Sequence, residues 1–243
     1  SKYAYLSATA RNDWSSTIAT GNNSYFYPSV AISSVISDYV KMPSFIDYLK
    51  VMASWATVSS DLDPYQIQQV YTKESNWGNT PTISYPSALV NYNIKPQKTT
   101  SWEVGLSTSF FGRIGLDFSY YRNIDTNQIL DMLISQASGF DSRKINGNTY
   151  TTNGIELAAA VKAIDTKDFK WDFDLNVSHS VRKLTDIYGG EEYFGNLKKG
   201  DRADAYYATV WQRDNEGRVI VDANGQPLTD PYSRKVGHYE PNV

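Results

Sequence analysis

Asp172 and Asp174 are the pair of side chains in this chain whose spacing most suggests acid–base chemistry. Two residues apart on a β-strand, they would share a face with about 7 Å between them. The segment that contains them alternates apolar and polar residues without a break, so two hydrated carboxylates on the polar face of a strand are the simpler interpretation. We therefore expect no catalytic residue.

Metal and cofactor chemistry finds little support in the residue types. The 243 residues include no cysteine and two histidines, His179 and His238, and neither has a second ligand at a useful spacing. Asp214–Gly217 and Asp222–Gly225 resemble parts of calcium loops but lack the full EF-hand ligand set, so we interpret them as two turns of a hairpin-like loop. We expect no metal and no cofactor.

Aromatic residues make up 14% of the chain, with 19 Tyr and 6 Trp. Such an excess suits either the two water–lipid interfaces of a membrane β-protein or a carbohydrate-binding β-protein. Aromatic side chains in predicted external loops are candidates for contact with a substrate or with a lid subunit, although they could equally pack their own loops: Trp14, Trp77, Tyr85 and Tyr92. The net charge of −3 gives no reason to expect a nucleic-acid partner.

The elements that position these residues are predicted to be β-strands. Phe169–Ser178 places a large apolar residue at every odd position and a polar one at every even position, which is typical of a strand with two different faces. The chain has no stretch of about 18 apolar residues, which a transmembrane helix would require. We predict an all-β chain with strands near residues 2–11, 27–36, 46–57, 100–111, 114–129, 153–163 and 169–184.

The two faces of these strands predict two environments. One face is predicted to meet lipid through Trp102, Leu106, Leu116, Phe118, Trp171, Phe173 and Leu175. The other would face a wet lumen through Glu103, Asp117, Glu156, Asp172 and Asp174. A soluble β-sandwich also alternates in this way, so a carbohydrate-binding or adhesin module is the alternative. Small residues mixed with isolated charges on the polar face favour the wall of a transmembrane barrel.

The lengths of the connections also favour a transmembrane barrel over a soluble sandwich. Tight turns at 111–113 and 165–168 alternate with long loops at 59–99, 131–152 and 188–243. Outer-membrane barrels have short periplasmic turns and long extracellular loops. We therefore predict antiparallel pairing of strands that are neighbours in sequence, all within one segment of a single barrel domain.

At the fourth strand the sequence resembles a known family. Asn93–Leu106, NIKPQKTTSWEVGL, resembles the LKPEKTTSWEVGL stretch of SusC/RagA-type TonB-dependent outer-membrane transporters. Further similar stretches follow in family order at Leu116–Leu130, Asn153–Leu157 and Phe169–Asp172. Met52–Ser60 departs from the family's more glycine-rich pattern, which affects the local register.

The resemblance implies more than the strands themselves do. It implies a large antiparallel barrel of about 22 strands in the bacterial outer membrane, of which this chain would be an internal to C-terminal piece without the plug domain. It implies nutrient import, of glycan oligomers or peptides, with no enzymatic activity. The implied partners are a SusD-like surface lipoprotein, TonB through a part outside this chain, the oligosaccharide or peptide substrate, and outer-membrane lipid.

Overall fold

The computed structural model describes residues 3–240. Lys2, at the predicted start of the first strand, and residues 241–243, at the end of the predicted loop 188–243, lie outside the described residues. Within residues 3–240, no helix combines the length and the apolar character needed to cross a membrane.

Seven long strands form one sheet. They are β1 (Ala4–Trp14), β2 (Ser24–Val35), β3 (Ile46–Ser60), β4 (Gln97–Phe110), β5 (Ile114–Thr126), β6 (Thr149–Asp165) and β7 (Lys170–Asp186). The order in the sheet is the order in the sequence, and every neighbouring pair is antiparallel. The predictions of an all-β fold and of sequential antiparallel pairing are therefore confirmed.

The strand bounds differ from the sequence prediction at one end of the sheet. Strands β1, β3 and β7 continue past their predicted last residues, and β2, β4 and β6 begin earlier than predicted. Backbone pairing continues there although the side chains no longer alternate cleanly. The opposite correction applies to β5, which ends at Thr126 because Asn127 adopts a left-handed conformation with φ of 56°.

The two ends of the sheet have different connections. At the short-turn end, β4 and β5 are joined through Phe111 and Gly112, whose φ angles of 53° and 61° suit the type I′ turn of a tight hairpin. Strands β6 and β7 are joined by a turn in which the amide of Thr166 donates to the carbonyl of Phe169 over 2.9 Å. A 3₁₀ turn at Ile36–Asp38 follows β2 at this end. The other end, which carries the longer connections, is called the long-connection end.

Short elements fill the long connections. Three form one small sheet, with Ser142–Asn146 between Ala88–Leu89 and Ile129–Leu133. Hairpins pair Thr72–Lys73 with Ile83–Ser84, Tyr193–Phe194 with Leu197–Lys198, and Ala205–Ala208 with Arg234–His238. Two further 3₁₀ turns lie at Gln136–Ser138 and Tyr188–Gly190.

The buried apolar core lies largely at the long-connection end rather than under the sheet. Its members are Ile18, Tyr25, Ile94, Ile145, Leu184 and Ile187. Side-chain amides join the connections to one another, because Asn22 donates to the carbonyls of Asn93 and Ile94, and Asn146 both donates to and accepts from the backbone of Lys95 at 2.7 Å. The long connections therefore pack as one layer on the rim of the sheet.

The sheet is bare on the side of the large apolar residues. Trp171, Phe173 and Leu175 are 55%, 49% and 42% exposed. A β-sandwich would bury these side chains against a second sheet, and within residues 3–240 no second sheet covers them. The soluble-sandwich alternative is therefore wrong for this fold.

Candidate functional site

The register sorts the side chains of the seven strands into two faces. Residues directly opposite each other in an antiparallel pair point to the same side of the sheet. Leu106 lies opposite Phe118 and Val51, and Phe118 lies opposite Leu157, which defines the apolar face. The same counting places all seven apolar residues predicted to meet lipid on this face: Trp102, Leu106, Leu116, Phe118, Trp171, Phe173 and Leu175.

The five predicted lumen carboxylates share the other side, the polar face. Glu103 lies opposite Tyr121, Asp117 opposite Ser107, and Glu156 opposite Ser119 and Ser178. These three carboxylates line one shallow groove together with Asn176 and Ser178. In the described part of the chain none of the three has a hydrogen-bond or ion-pair partner, so this part of the polar face presents free negative charge.

Asp172 and Asp174 lie on the polar face but apart from that groove. They border a second shallow depression near the short-turn end, with Arg113 and Lys162. Asp172 is opposite Lys162 and Asp174 is opposite Ala160. The five carboxylates therefore spread along the face rather than converge on one point, and residues 3–240 contain no cluster of three His, Asp or Glu side chains that could hold a metal ion.

A polar network at the long-connection end of the same face was not predicted. Thr99 Oγ1 donates to Asp125 Oδ1 over 2.8 Å, and Arg182 forms an ion pair with Asp125 Oδ2 at 3.0 Å. The Arg182 guanidinium also lies over the Tyr150 ring, 4.6 Å from its centroid. These residues come from four strands, β4 to β7, and only the cross-strand register brings them together.

Aromatic residues mark both ends of the apolar face. Near the long-connection end, Trp102 contacts Tyr120 with ring centroids 5.4 Å apart, and Trp55 lies directly opposite Trp102. Near the short-turn end, Phe45 stacks on Phe110 at 6.4 Å. Eight residues separate Trp102 from Phe110, which is about 26 Å along a strand. At the tilt of about 35–45° that barrel strands have, this length spans about 20 Å of bilayer height, which is most of the roughly 25 Å apolar band between the aromatic girdles of an outer-membrane barrel.

The four candidate contact aromatics do not form one cluster. Trp77 is 84% exposed at the tip of the hairpin that pairs residues 72–73 with 83–84. Tyr85 follows that hairpin and contacts Tyr71 and Phe140, with ring centroids 5.5 and 5.4 Å away. Tyr92 is also exposed in the same long connection.

Trp14 requires a correction. It was predicted in a loop, but it is the last residue of β1, opposite Ser24. The register places it on the apolar face, where it continues the row of Leu6 and Ala8 toward the long-connection end. It is therefore separated from the loop aromatics.

The two glycine turns that resemble calcium loops are hairpin turns. The Asp214 carboxylate accepts from the amides of Glu216 and Arg218, both over 2.9 Å, and the Asp222 carboxylate accepts from those of Asn224 and Gln226. One oxygen of each carboxylate, Oδ1, is thus held by the amides of its own turn. The interpretation from sequence as two hairpin turns is confirmed.

Fold and faces together define a class: a segment of the wall of a transmembrane β-barrel. The chain belongs to the family of TonB dependent receptor-like β-barrels, whose model matches residues 3–234. Membership of this family places the chain in the bacterial outer membrane, as the resemblance implied.

Relatives of known name support the assignment. The chain is 26% identical to the TonB-dependent receptor SusC of Bacteroides thetaiotaomicron, over 95% of this chain and 25% of that receptor. It is 27% identical to the TonB-dependent receptor P26 of Formosa agariphila, over 77% of this chain and 20% of that receptor. The chain thus spans about a quarter or less of the length of these relatives.

Solved structures agree in fold. A structure of the RagAB peptide transporter superposes with a TM-score of 0.77 at 20% identity, over 96% of this chain and 28% of the other. The RagAB peptide importer in its closed-closed state gives a TM-score of 0.76 at 19% identity, over 95% of this chain and 27% of the other. The predicted resemblance to SusC/RagA-type receptors is confirmed.

Proposed function

We propose that this chain forms part of the wall of an outer-membrane importer driven by TonB, and that the apolar face meets lipid while the polar face lines the lumen. The observation that carries the proposal is the contrast between the two faces. One carries a bare apolar band between two aromatic rims, and the other carries unpaired carboxylates among small residues. Lipid outside and water inside satisfy both faces at once.

Under this proposal, the long-connection end faces the cell exterior. Outer-membrane barrels have longer loops on the outside than on the periplasmic side. The exposed hairpin over residues 72–84, with Trp77 at its tip, is then directed toward incoming substrate or toward a SusD-like lipoprotein lid. An exposed indole suits either task, because it offers a large rigid surface for a sugar ring, a peptide side chain or a partner protein.

The substrate class is proposed as glycan oligomers or peptides. Support comes from the relatives: one is the receptor SusC, and another structure is named a peptide importer. No covalent chemistry is proposed for the chain, because its carboxylates are dispersed along the polar face rather than paired around one point. A plug and a TonB-contacting segment belong to the proposal but not to this chain.

Deletion of the hairpin tests the proposal in the full-length parent protein. Its first and last residues, Thr72 and Ser84, are paired partners, so a short Gly-Ser bridge can replace the segment between them without moving the ends. We expect uptake of labelled oligosaccharide or peptide, or capture of the lid lipoprotein, to fall while heat-modifiable gel mobility shows a folded barrel. Loops tolerate deletion far better than wall strands do.

Two controls make the result specific. Trp77→Ala should reproduce part of the loss, whereas Lys73→Ala in the stem of the same hairpin should have little effect. If deletion of the hairpin abolished the folded barrel, and Asp172→Ala alone abolished hydrolysis of a substrate, an enzyme would replace the importer as the best account.

A further inference from the structure

The apolar face carries several basic residues. They are Lys98, Arg122, His179 and Lys183, which lie opposite Thr126, Trp102, Ile155 and Thr151. Asp47 and Asp186 lie at β-bulges near strand ends, and Asp186, opposite Thr149, pairs with Lys199 at 2.6 Å. Elsewhere in the seven strands as described, the register puts no Asp or Glu on this face, while the polar face carries many. All four basic residues lie in the half of the face nearer the long-connection end, at or beyond the level of Tyr120.

Lys98, Arg122 and Lys183 lack the counter-charges that three cations of the polar face, Arg11, Lys170 and Arg182, have. Arg182, at the same end of the polar face, is paired with Asp125 at 3.0 Å. Arg122 Nε, by contrast, is buried without a hydrogen-bond partner, and among residues 3–240 neither Lys98 nor Lys183 forms an ion pair. A guanidinium beside an apolar band is costly to leave unpaired, so this arrangement calls for an anion from outside the sheet.

A groove on this part of the face provides room for a ligand. Tyr120, Ile155 and Val181 line it, and Lys183 and Arg202 border it. Arg202 lies opposite Lys183 in a short bridge and holds Asp204 through two hydrogen bonds of 2.7 and 2.8 Å. Arg122 and Lys183 are two strands and two residues apart in register, which places their Cα atoms about 12 Å from each other. Arg122 and Lys183 thus lie on either side of an apolar surface that continues into the apolar band.

We propose that Lys98, Arg122 and Lys183 bind the phosphorylated headgroup of a glycolipid in the outer leaflet, with its acyl chains along the apolar band. Arginine and lysine are the side chains that best hold phosphate, the former through paired N–H donors and the latter as a point charge. Their height, at and just beyond the aromatic rim, is that of a headgroup rather than of bulk solvent. The proposal rests on the assignment of the apolar face to lipid and of the long-connection end to the exterior.

The test uses the full-length parent protein in detergent micelles and a diphosphoryl hexa-acyl lipid A as the probe. Native mass spectrometry or thermal stabilisation gives its apparent affinity, with the dephosphorylated glycolipid and inorganic phosphate as comparisons. The variant Lys98→Gln/Lys183→Gln is matched by Lys50→Gln/Lys162→Gln, which removes two lysines from the polar face. Heat-modifiable mobility verifies that both variants fold.

We expect the first variant to bind the diphosphoryl lipid roughly 30-fold more weakly, since each basic residue at an anionic surface contributes about fivefold in affinity. Added Arg122→Gln should weaken binding further, and the matched variant should stay within twofold of the native protein. The proposal is overturned if the dephosphorylated lipid binds equally well, if inorganic phosphate alone reproduces the effect, or if both double variants behave alike.

Failure of this proposal can be told apart from failure of the proposed function. Whether the apolar face meets lipid is read from labels at Phe173 and Leu175, which lie at least eight residues from Lys183 toward the short-turn end of β7. If those labels report lipid but the two double variants bind the diphosphoryl lipid with the same affinity, only the headgroup site is wrong. If the labels report water, the face assignment itself is wrong.

Discussion

Phe173 and Asp174 are adjacent in β7 and point to opposite faces, so they separate the two environments at the scale of single residues. We expect Phe173→Arg to destabilise the folded barrel by about 1–2 kcal/mol, because a guanidinium on the lipid-facing band has no partner there, and this cost falls from about 2–4 kcal/mol at the bilayer midplane toward the rim, near which Phe173 lies at the level of Phe110. Asp174→Arg should cost little, because that side chain is hydrated. Urea titration of the parent protein in lipid vesicles measures both, and equal costs would contradict the assigned faces.

Gly154 is a position where the absence of a side chain matters for packing. A Cβ built there would overlap the ring of Tyr121, which lies across from it on the polar face, whereas at Gly115 the nearest atom is the carbonyl oxygen of Ala160 at 3.9 Å. We expect Gly154→Ala to cost about 1–3 kcal/mol through overpacking. Gly115→Ala is the matched control and should be neutral or slightly stabilising. Similar urea midpoints for the two variants would rule out this packing.

The face on which each residue lies could be predicted from the sequence. Side chains alternate between the two faces of a strand, so recognising a strand fixes the face of each of its residues. Phe118 and Asp117 were separated in this way without any knowledge of their partners. Trp14 was not, because β1 continues three residues beyond its predicted end through pairing with β2. The Asp125–Arg182 pair could not be predicted either, since a register between distant segments has no local signal.

At the scale of elements, a carboxylate joins the two ends of the hairpin 205–208/234–238 in the segment after β7. Asp204 accepts from Arg202 and from the amide of Glu240, and the hydrogen bonds from Arg202 lower its pKa from 3.8 to about 2. A pKa lowered in the folded state stabilises above the unfolded value, and the contribution is lost as the pH falls from about 4 toward 2. The hairpin 205–208/234–238 should therefore loosen in acid.

The variant Asp204→Asn tests whether this carboxylate stabilises the hairpin. We expect faster hydrogen exchange of residues 205–238 in the variant at pH 7, and the difference from the native protein should shrink as the pH falls toward 2. Glu191→Gln removes an exposed carboxylate that has no ion pair in the described chain, and it should leave exchange unchanged. A difference that stayed constant between pH 7 and pH 2 would show that the charge of Asp204 is not what holds the segment.

The elements themselves were predictable to different degrees. The seven wall strands and the turns at Gly112 and Thr166 follow from alternation and from tight spacing between alternating runs. The small sheet that joins residues 88–89, 129–133 and 142–146 does not, because its strands are short and pair across different connections. Its order depends on contacts such as the Asn146 amide with Lys95, which are set by tertiary structure.

At the scale of the whole molecule, our proposal gives both faces of the sheet a function. An apolar face that is bare in the described residues would be unfavourable in water, since large exposed apolar patches promote association. In a bilayer the same surface is stabilised by lipid, and the opposite, acidic surface stays hydrated. The central claim for this chain is therefore that its apolar face, its polar face and its long connections have different functions.

Site-directed spin labelling along β5 and β7 of the full-length parent in vesicles tests that claim most directly, and the absence of cysteine from this chain simplifies the labelling. Labels at Phe118, Phe173 and Leu175 should collide with oxygen and be shielded from a water-soluble nickel chelate. Labels at Asp117 and Asp174 should show the reverse, which gives an accessibility pattern with a period of two. Equal nickel accessibility on both sets would contradict the account.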